Sequence, residues 1–201
     1  MLQLDTYYHI YNHANASENL FRSEHNFNYF LDKYHQHVRP IADTYAYCLM
    51  PNHFHFLVKI KDVATILNLP KEYPLLNPQG FRNPESFISQ QFSNLFNAYT
   101  KAYNKMYARR GTLFLHNFKR KEVSTESYFA QLIYYIHANL VHHGFSKNIA
   151  DWKYSSYHSY ISERETNVKR QLGLEWFGGV NEFKKTHAEP IDQNLRLNLI
   201  E

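Results

Sequence analysis

The sequence predicts an α+β fold, with an antiparallel sheet, helices on one face of the sheet and one additional helix. Several short segments alternate apolar and polar side chains with period two, which is typical of strands. Other segments carry apolar residues at spacings of three and four, which is typical of amphipathic helices. These segments follow one another in the order strand, helix, strand, strand, helix, strand, helix.

The first strand and the first helix lie near the start of the chain. Residues 7–13 are rich in β-forming side chains, and their alternation turns Tyr8 and Ile10 toward the core. Residues 23–38 have a helical apolar stripe, and Ser23 is a suitable N-cap. The sequence therefore begins with a strand followed by a helix.

A predicted hairpin follows, and it carries two histidines on one face. Residues 44–50 form its first strand, and Pro51 with Asn52 forms the turn. In the next strand the even residues from Phe54 to Ile60 are apolar and face the core. His53 and His55 therefore point together to the opposite face, where two imidazoles can converge on one divalent cation. A buried, polar but unliganded pair is the alternative for this short motif.

The second half contains two further helices and a strand. Five residues that are proline or glycine interrupt residues 61–84, which indicates an insertion. A long helix over 85–108 has a buried stripe that ends at Met106, and a strand is expected over 118–123. Another helix follows over 127–140. This order is that of the split β-α-β, ferredoxin-like (βαββαβ) fold, which is also seen in the RNA-recognition domain.

Length and composition favour one domain of about average size. The chain has 201 residues and a net charge of +4, which permits a polyanionic partner. We expect a domain over 1–160, with the insertion inside it, and a partly ordered C-terminal extension over 161–201. No signal peptide, membrane span or nucleotide-binding glycine loop is evident, and Cys48, the single cysteine, is expected to be buried. A cytoplasmic protein is the simplest account.

The helix over 127–140 carries a second group of chemically competent residues. Tyr135 and Asn139 are four residues apart, so they share one flank of the helix. A phenol can act as a nucleophile, and an amide oxygen can be a third metal ligand. The alternative is that Tyr135 packs beside the core, as aromatic residues at helical spacing usually do. Four further histidines are expected to be polar surface residues, with contact to DNA as the alternative: His116, His137, His142 and His143.

Three blocks of sequence resemble the single-tyrosine HUH transposases, most closely the REP-associated tyrosine transposases. Residues 50–57 (MPNHFHFL) resemble the motif of two histidines around a bulky apolar residue. Residues 111–114 followed by Phe118-Lys119 resemble a second block, and residues 134–139 followed by Val141 and Gly144 resemble a third. The resemblance covers residues 7–160. Leu140 departs from the pattern, because proline is common in the family at that position.

The resemblance implies a mechanism and assigns residues to it. His53, His55 and Asn139 would hold Mg²⁺ or Mn²⁺. Tyr135 would attack a DNA phosphodiester and form a 5′-phosphotyrosine, whereas the neighbouring Tyr134 would not. The implied activity is metal-dependent nicking and strand transfer on single-stranded hairpin DNA, without a nucleotide cofactor, by a monomer or a homodimer.

A basic, aromatic segment is the predicted DNA-binding surface. Cations suit the DNA backbone and aromatic rings suit exposed bases, although a solvated basic face is an equal alternative. The seven basic residues are Lys101, Lys105, Arg109, Arg110, Lys119, Arg120 and Lys121. Two rival functions remain: a non-catalytic DNA- or RNA-binding module, and a metal-dependent nuclease that uses water as its nucleophile.

Overall fold

The computed structural model describes residues 2–69, 78 and 83–189. Its strands are β1 (Tyr7–His13), β2 (Ala42–Met50), β3 (His53–Ile60) and β4 (Lys119–Glu122). Its helices are α1 (Glu24–His37), α2 (Val63–Leu67), α3 (Pro84–Met106), α4 (Glu126–His142), α5 (Tyr157–Ile161), α6 (Arg170–Phe177) and α7 (Val180–Ala188). The predicted strands and long helices are all present, and their ends agree with the prediction to within about two residues.

The strands form one sheet in the order β2-β3-β1-β4, and every neighbouring pair is antiparallel. This is the predicted ferredoxin-like arrangement. The edge strand β2 is covered by a later segment of the chain. The Leu49 amide donates to the Tyr154 carbonyl, and the Ser156 amide donates to the Tyr47 carbonyl. These bonds satisfy backbone groups that an exposed edge would leave open.

One face of the sheet packs against α1 and α3. The even residues of β1 and β3 enter this core, as the alternation predicts, and Phe30 and Tyr99 meet them from the two helices. Phe54 and Phe56 are at most 2 % exposed. Met106 was predicted to close the buried stripe of α3, and this is wrong. It is the last residue of the helix and is 48 % exposed, because the apolar stripe ends before it.

The other face of the sheet is partly covered, by the additional helix that the sequence predicted. Helix α4 lies against β2 and β3, and a second core forms between them. Helices α6 and α7 pack on α4 in turn. Toward β1 and β4 the face retains partly or fully exposed side chains, among them Tyr11 and Lys119. The histidine pair therefore lies under α4 rather than on an open surface.

Two predicted segments fall only partly within the described residues. Of the insertion over 61–84, the structure describes α2 and the start of α3, and residues 70–77 and 79–82 lie outside the description. Of the extension over 161–201, the described part contains α6 and α7. The described residues contain no helix long and apolar enough to cross a membrane.

Candidate active site

Strand β3 brings the two histidines to the face that α4 covers. Their ring centroids are 5.2 Å apart, and the side chains are 1 % and 4 % exposed for His53 and His55. The intervening Phe54 enters the opposite core, which fixes the direction of both imidazoles. The two predicted histidines therefore lie side by side in the folded chain, and both are buried.

Helix α4 brings Tyr135 and Asn139 to the same place. The Thr125 side chain caps the helix by accepting a hydrogen bond from the Tyr128 amide. The Tyr135 ring lies 5.6 Å from the His55 ring, edge-on, and is 3 % exposed. Asn139 is fully buried. Burial lowers the pKa of His53, and the Asn139 amide is close enough to oppose that effect, so the two side chains are neighbours. The structure thus brings together all four residues of the predicted centre.

Leu140, where the family commonly has proline, does not disturb this arrangement. The residue is fully buried in the core between α4 and the sheet. Because leucine has a backbone N–H, α4 continues to His142, and Tyr135 and Asn139 remain one turn apart.

The adjacent tyrosines of α4 have different surroundings. The Tyr134 hydroxyl donates to the Glu189 carbonyl at 2.7 Å, so it faces the C-terminal extension. The Tyr135 ring faces His55 and His9, which lie 5.6 and 6.1 Å away between centroids. Successive helix residues differ by about 100° in direction, and this rotation separates the two phenols. Of the two, Tyr135 is therefore the one beside the histidines.

Unsatisfied buried polar atoms cluster around this centre. His53 Nε2 and both amide atoms of Asn139 are buried without a hydrogen-bond partner. Most buried polar groups in proteins have a partner, and an unsatisfied one costs about 1–3 kcal/mol. Three such atoms on two neighbouring residues indicate a ligand-binding site.

The protonation of His53 suits metal binding. Burial, and then the nearby His13 and His143, lower the pKa of His53 from 6.5 to about 3, so the ring is neutral. Its Nδ1 lies 2.7 Å from Asn52 Oδ1, which can only accept, so Nδ1 carries the proton. The lone pair is then on Nε2, the unsatisfied atom. The residues therefore fit a divalent cation held by two imidazoles and an amide oxygen.

A larger metal cluster is not found. Among the described residues, no group of three or more histidine, cysteine, aspartate or glutamate side chains has an arrangement that could hold a metal ion. The predicted ligands include only two residues of these types, with Asn139 as the third. The structure therefore offers no alternative cation site of this kind in the described part of the chain.

Further residues border the centre that were not predicted as site residues. His9 and Tyr11 of β1 stack with the ring of His55, at centroid separations of 5.1 and 5.4 Å. His13 stacks on His53 at 4.6 Å, and His143 approaches the same ring at 4.7 Å. The signal was present in the sequence, because alternation places His9, Tyr11 and His13 on one face of β1. The register of β1 on β3, which sets Tyr11 opposite His55 and His13 opposite His53, was not predicted.

The predicted basic residues divide between the two faces of the sheet. Lys121 is paired with His9 across β1 and β4, and Lys119 with Tyr11, so both belong to the face of the site. Arg120 points the other way and lies over the Phe118 ring. Lys101 and Lys105 are exposed on α3, which packs on the opposite face, and Arg110 is exposed just beyond it.

Arg109 forms an ion pair and hydrogen bonds within the fold. Its Nη2 lies 2.6 Å from Glu18 Oε1 and also donates to the Thr112 carbonyl. Its other terminal nitrogen donates to the Asn104 side chain. Three partners therefore hold this guanidinium within the fold.

The expectation of polar surface histidines is wrong for His137. This residue is fully buried, and its Nδ1 lies 3.0 Å from Nε2 of His187 in α7. Its Nε2 lies 2.7 Å from the Ser156 hydroxyl. His116 and His143 are exposed and His142 is partly exposed, as expected. Cys48 is fully buried, also as expected, and burial raises the pKa of its thiol.

Comparisons with known proteins find relatives in sequence and in fold, although no family model matches the chain. The chain is 23 % identical over 144 residues to a putative REP-associated tyrosine transposase of Haemophilus influenzae. This match covers 71 % of the chain and 70 % of the relative.

A solved structure shares the fold. It is that of a REP-associated tyrosine transposase bound to a REP hairpin. It superimposes with a TM-score of 0.54 at 14 % identity, over 81 % of this chain and 83 % of the other. Together with the sequence match, this similarity supports the resemblance predicted from the three sequence blocks. The chain is thus similar in sequence to a protein named as a REP-associated tyrosine transposase, and similar in fold to the solved structure of another.

Proposed function

We propose that this protein is a transposase-like enzyme that nicks and joins single-stranded hairpin DNA through Tyr135, with Mg²⁺ or Mn²⁺ bound by His53, His55 and Asn139. The observation that carries the proposal is the cluster of unsatisfied buried atoms on His53 and Asn139, beside the Tyr135 phenol. The similarity to proteins named as tyrosine transposases, one of them bound to a hairpin, supports the same conclusion.

The reaction requires a nucleophile, a leaving group and control of charge. The Tyr135 oxygen attacks the phosphorus, a bond forms between them, and the bond to the 3′ oxygen breaks. The phenol loses its proton, the 3′ oxygen gains one, and a 5′-phosphotyrosine remains. Because the new bond is also a phosphodiester, strand joining needs no nucleotide cofactor. A divalent ion, when bound, stabilises negative charge on the phosphate oxygens.

The surroundings of Tyr135 suit this role. A free phenol in water has a pKa near 10 and is a weak nucleophile at neutral pH, so the site must orient the phenol toward the phosphorus. The phenol is held between α4 and the sheet, with His9 and His55 against its ring. Lys119 and Lys121 supply positive charge on the same face, and Tyr11 offers a partly exposed ring to a base or sugar.

Covalent adduct formation tests the proposal. The protein is incubated with Mn²⁺ and labelled single-stranded hairpin DNA from the flanks of its own gene, and adducts are detected on a denaturing gel. We expect an adduct with the wild type and none with Tyr135→Phe. Tyr134→Phe is the matched control, because it removes the neighbouring hydroxyl, which binds Glu189, and should still form the adduct. Chelation with EDTA should abolish the adduct, and added Mn²⁺ should restore it.

The two rival functions give different results in this assay. A non-catalytic binding module retains the hairpin in EDTA and never forms an adduct. A nuclease that uses water cleaves the DNA, tolerates Tyr135→Phe and leaves no covalent product. An adduct that persists in Tyr135→Phe would contradict the assignment of the nucleophile.

A further inference from the structure

His9 is buried beside the candidate metal centre and makes a direct contact with one of its ligands. The side chain is 1 % exposed, and its Nε2 lies 2.8 Å from Nδ1 of His55. Its ring also stacks with Tyr11 at 4.7 Å between centroids. The distance between the two nitrogens is that of a hydrogen bond, so one of them carries a proton and the other accepts it.

The direction of this hydrogen bond follows from the role proposed for His55. A ring that binds a cation through Nε2 must carry its proton on Nδ1. His55 then donates through Nδ1, and His9 Nε2 accepts.

The other proposed histidine ligand has the same arrangement. Nδ1 of His53 lies 2.7 Å from Asn52 Oδ1, an atom that only accepts. Both histidines of the pair therefore have an acceptor at Nδ1, which leaves Nε2 of each ring for the ion. Partners of this kind fix the tautomer and the ring orientation of metal-binding histidines.

We propose that His9 is a positioning residue, whose Nε2 accepts the Nδ1 proton of His55 and holds that ring with its Nε2 toward the metal ion. This inference rests on the proposed function, because it takes His55 to be a ligand. It adds a residue of β1 to a centre otherwise built from β3 and α4.

A direct role for His9 as a third histidine ligand is less consistent with the geometry. The nitrogen that faces the centre is already in contact with His55 Nδ1. Although His9, His53 and His55 are neighbours, the described residues contain no group of three such side chains arranged to hold an ion. When Nε2 accepts, the other ring nitrogen, Nδ1, carries the proton and has no lone pair for an ion.

Mn²⁺ affinity, measured by electron paramagnetic resonance of the free ion, tests the proposal without DNA. We expect His9→Leu to bind Mn²⁺ about 10–100-fold more weakly than the wild type, which is typical when the hydrogen-bond partner of a ligand is lost. His9→Gln retains an acceptor and should recover most of the affinity. His37→Leu is the control, because it removes an imidazole of α1 on the other face of the sheet, and we expect a change of less than about threefold.

A second measurement covers the case in which His9→Leu folds poorly, as judged by circular dichroism. Two-bond ¹H–¹⁵N spectra of the wild type with Mg²⁺ report which ring nitrogen is protonated, and His55→Gln identifies the signals of His55. A proton on Nδ1 of His55 supports the proposal, and a proton on Nε2 overturns it.

The outcomes separate this inference from the proposed function. If the wild type binds Mn²⁺ and forms the DNA adduct but His9→Leu has wild-type affinity, only the role of His9 is overturned. If the wild type binds Mn²⁺ with the expected dependence on His9 but forms no adduct, the proposed function fails and the positioning role stands. If the wild type binds no Mn²⁺, both are overturned.

Discussion

At the scale of single residues, the centre combines side chains that are unfavourable for folding with a geometry that suits a ligand. Asn139 is fully buried on α4, and neither atom of its amide has a hydrogen-bond partner. The amide acts on the pKa of His53, but no hydrogen bond of normal geometry joins the two side chains. Local features that reduce stability are often kept where function requires them.

Replacement of Asn139 by leucine should therefore stabilise the metal-free protein. Leucine has a similar size and removes two unsatisfied polar atoms, so we expect the free energy of unfolding to rise by about 1–2 kcal/mol. The measurement is urea unfolding in EDTA. The same substitution should weaken Mn²⁺ binding and abolish the DNA adduct.

Asn26→Leu is the matched control for this prediction. Asn26 is also a buried helical asparagine, but its Oδ1 accepts from the Arg22 and Ser23 amides and from the Tyr107 hydroxyl. Its replacement should lower the free energy of unfolding by about 1–3 kcal/mol, because those donors lose their acceptor. If Asn139→Leu destabilised the protein as much as Asn26→Leu, the amide of Asn139 would have to be satisfied in the metal-free fold.

At the scale of elements, helix α4 is held from two sides. Its apolar residues Leu132, Ile136 and Leu140 are fully buried in the core that α4 shares with the sheet. On the far side, His137 contacts His187 of α7, and Tyr134 binds the Glu189 carbonyl. The His187 Nδ1 donates to the Phe183 carbonyl, so His187 Nε2 accepts from His137. The C-terminal helices thereby fix the position of the helix that carries Tyr135.

A close contact between α5 and α6 depends on Gly173. A Cβ at this position would overlap Oη of Tyr160 and would lie 2.8 Å from Cε1 of the same ring, and Tyr160 is 1 % exposed. The Tyr160 hydroxyl also donates to the Tyr45 carbonyl of β2, so the ring has little freedom to move. The glycine is therefore required by packing, because it permits α6 to approach α5.

Gly173→Ala should lower the free energy of unfolding by about 1–3 kcal/mol, as measured by urea denaturation. Gln171→Ala is the control on the exposed side of α6, with an expected change within about 0.5 kcal/mol. Alanine in an unhindered helix stabilises by about 0.5–1 kcal/mol relative to glycine. A stabilising effect of Gly173→Ala would thus show that the Tyr160 ring can move aside.

At the scale of the whole molecule, buried neutral histidines make folding dependent on pH. Burial lowers the pKa of five of them below 6.5: to about 3 for His9 and His53, to about 4 for His187, and well below 6.5 for His55 and His137. Below pH 6.5 the unfolded chain binds protons that the folded chain does not. Above pH 6.5 these imidazoles are neutral in both states and do not reduce the free energy of unfolding. As the pH falls from 6.5 toward 4, the unfolded chain is favoured and the free energy of unfolding decreases.

The free energy of unfolding should accordingly be at least about 3 kcal/mol lower at pH 5 than at pH 7, since one histidine shifted this far contributes about 2 kcal/mol. Urea unfolding in EDTA across this range measures the change. His187→Gln removes one of the five groups and should reduce the slope below pH 6.5. Equal stability at pH 5 and pH 7 would contradict the neutral, buried state of these imidazoles.

The sequence by itself determined the local structure and most members of the centre. Alternation in residues 53–60 turns His53 and His55 to one face, and a spacing of four puts Tyr135 and Asn139 on one flank of a helix. The element order predicted the ferredoxin-like sheet, because few topologies connect these elements without crossing. These predictions depend on short-range geometry, which the spacing of side chains along the chain determines.

Only the tertiary structure decided which of these faces meet. It sets the register of β1 on β3, which brings His9 to His55, and it places α4 over the sheet, which covers part of the face away from α1 and α3. It also separates Tyr134 from Tyr135 and distributes the basic residues over opposite faces. The physical reason is that such contacts join residues far apart in the chain, 46 positions for His9 and His55 and 55 for Tyr134 and Glu189, and depend on how whole layers pack.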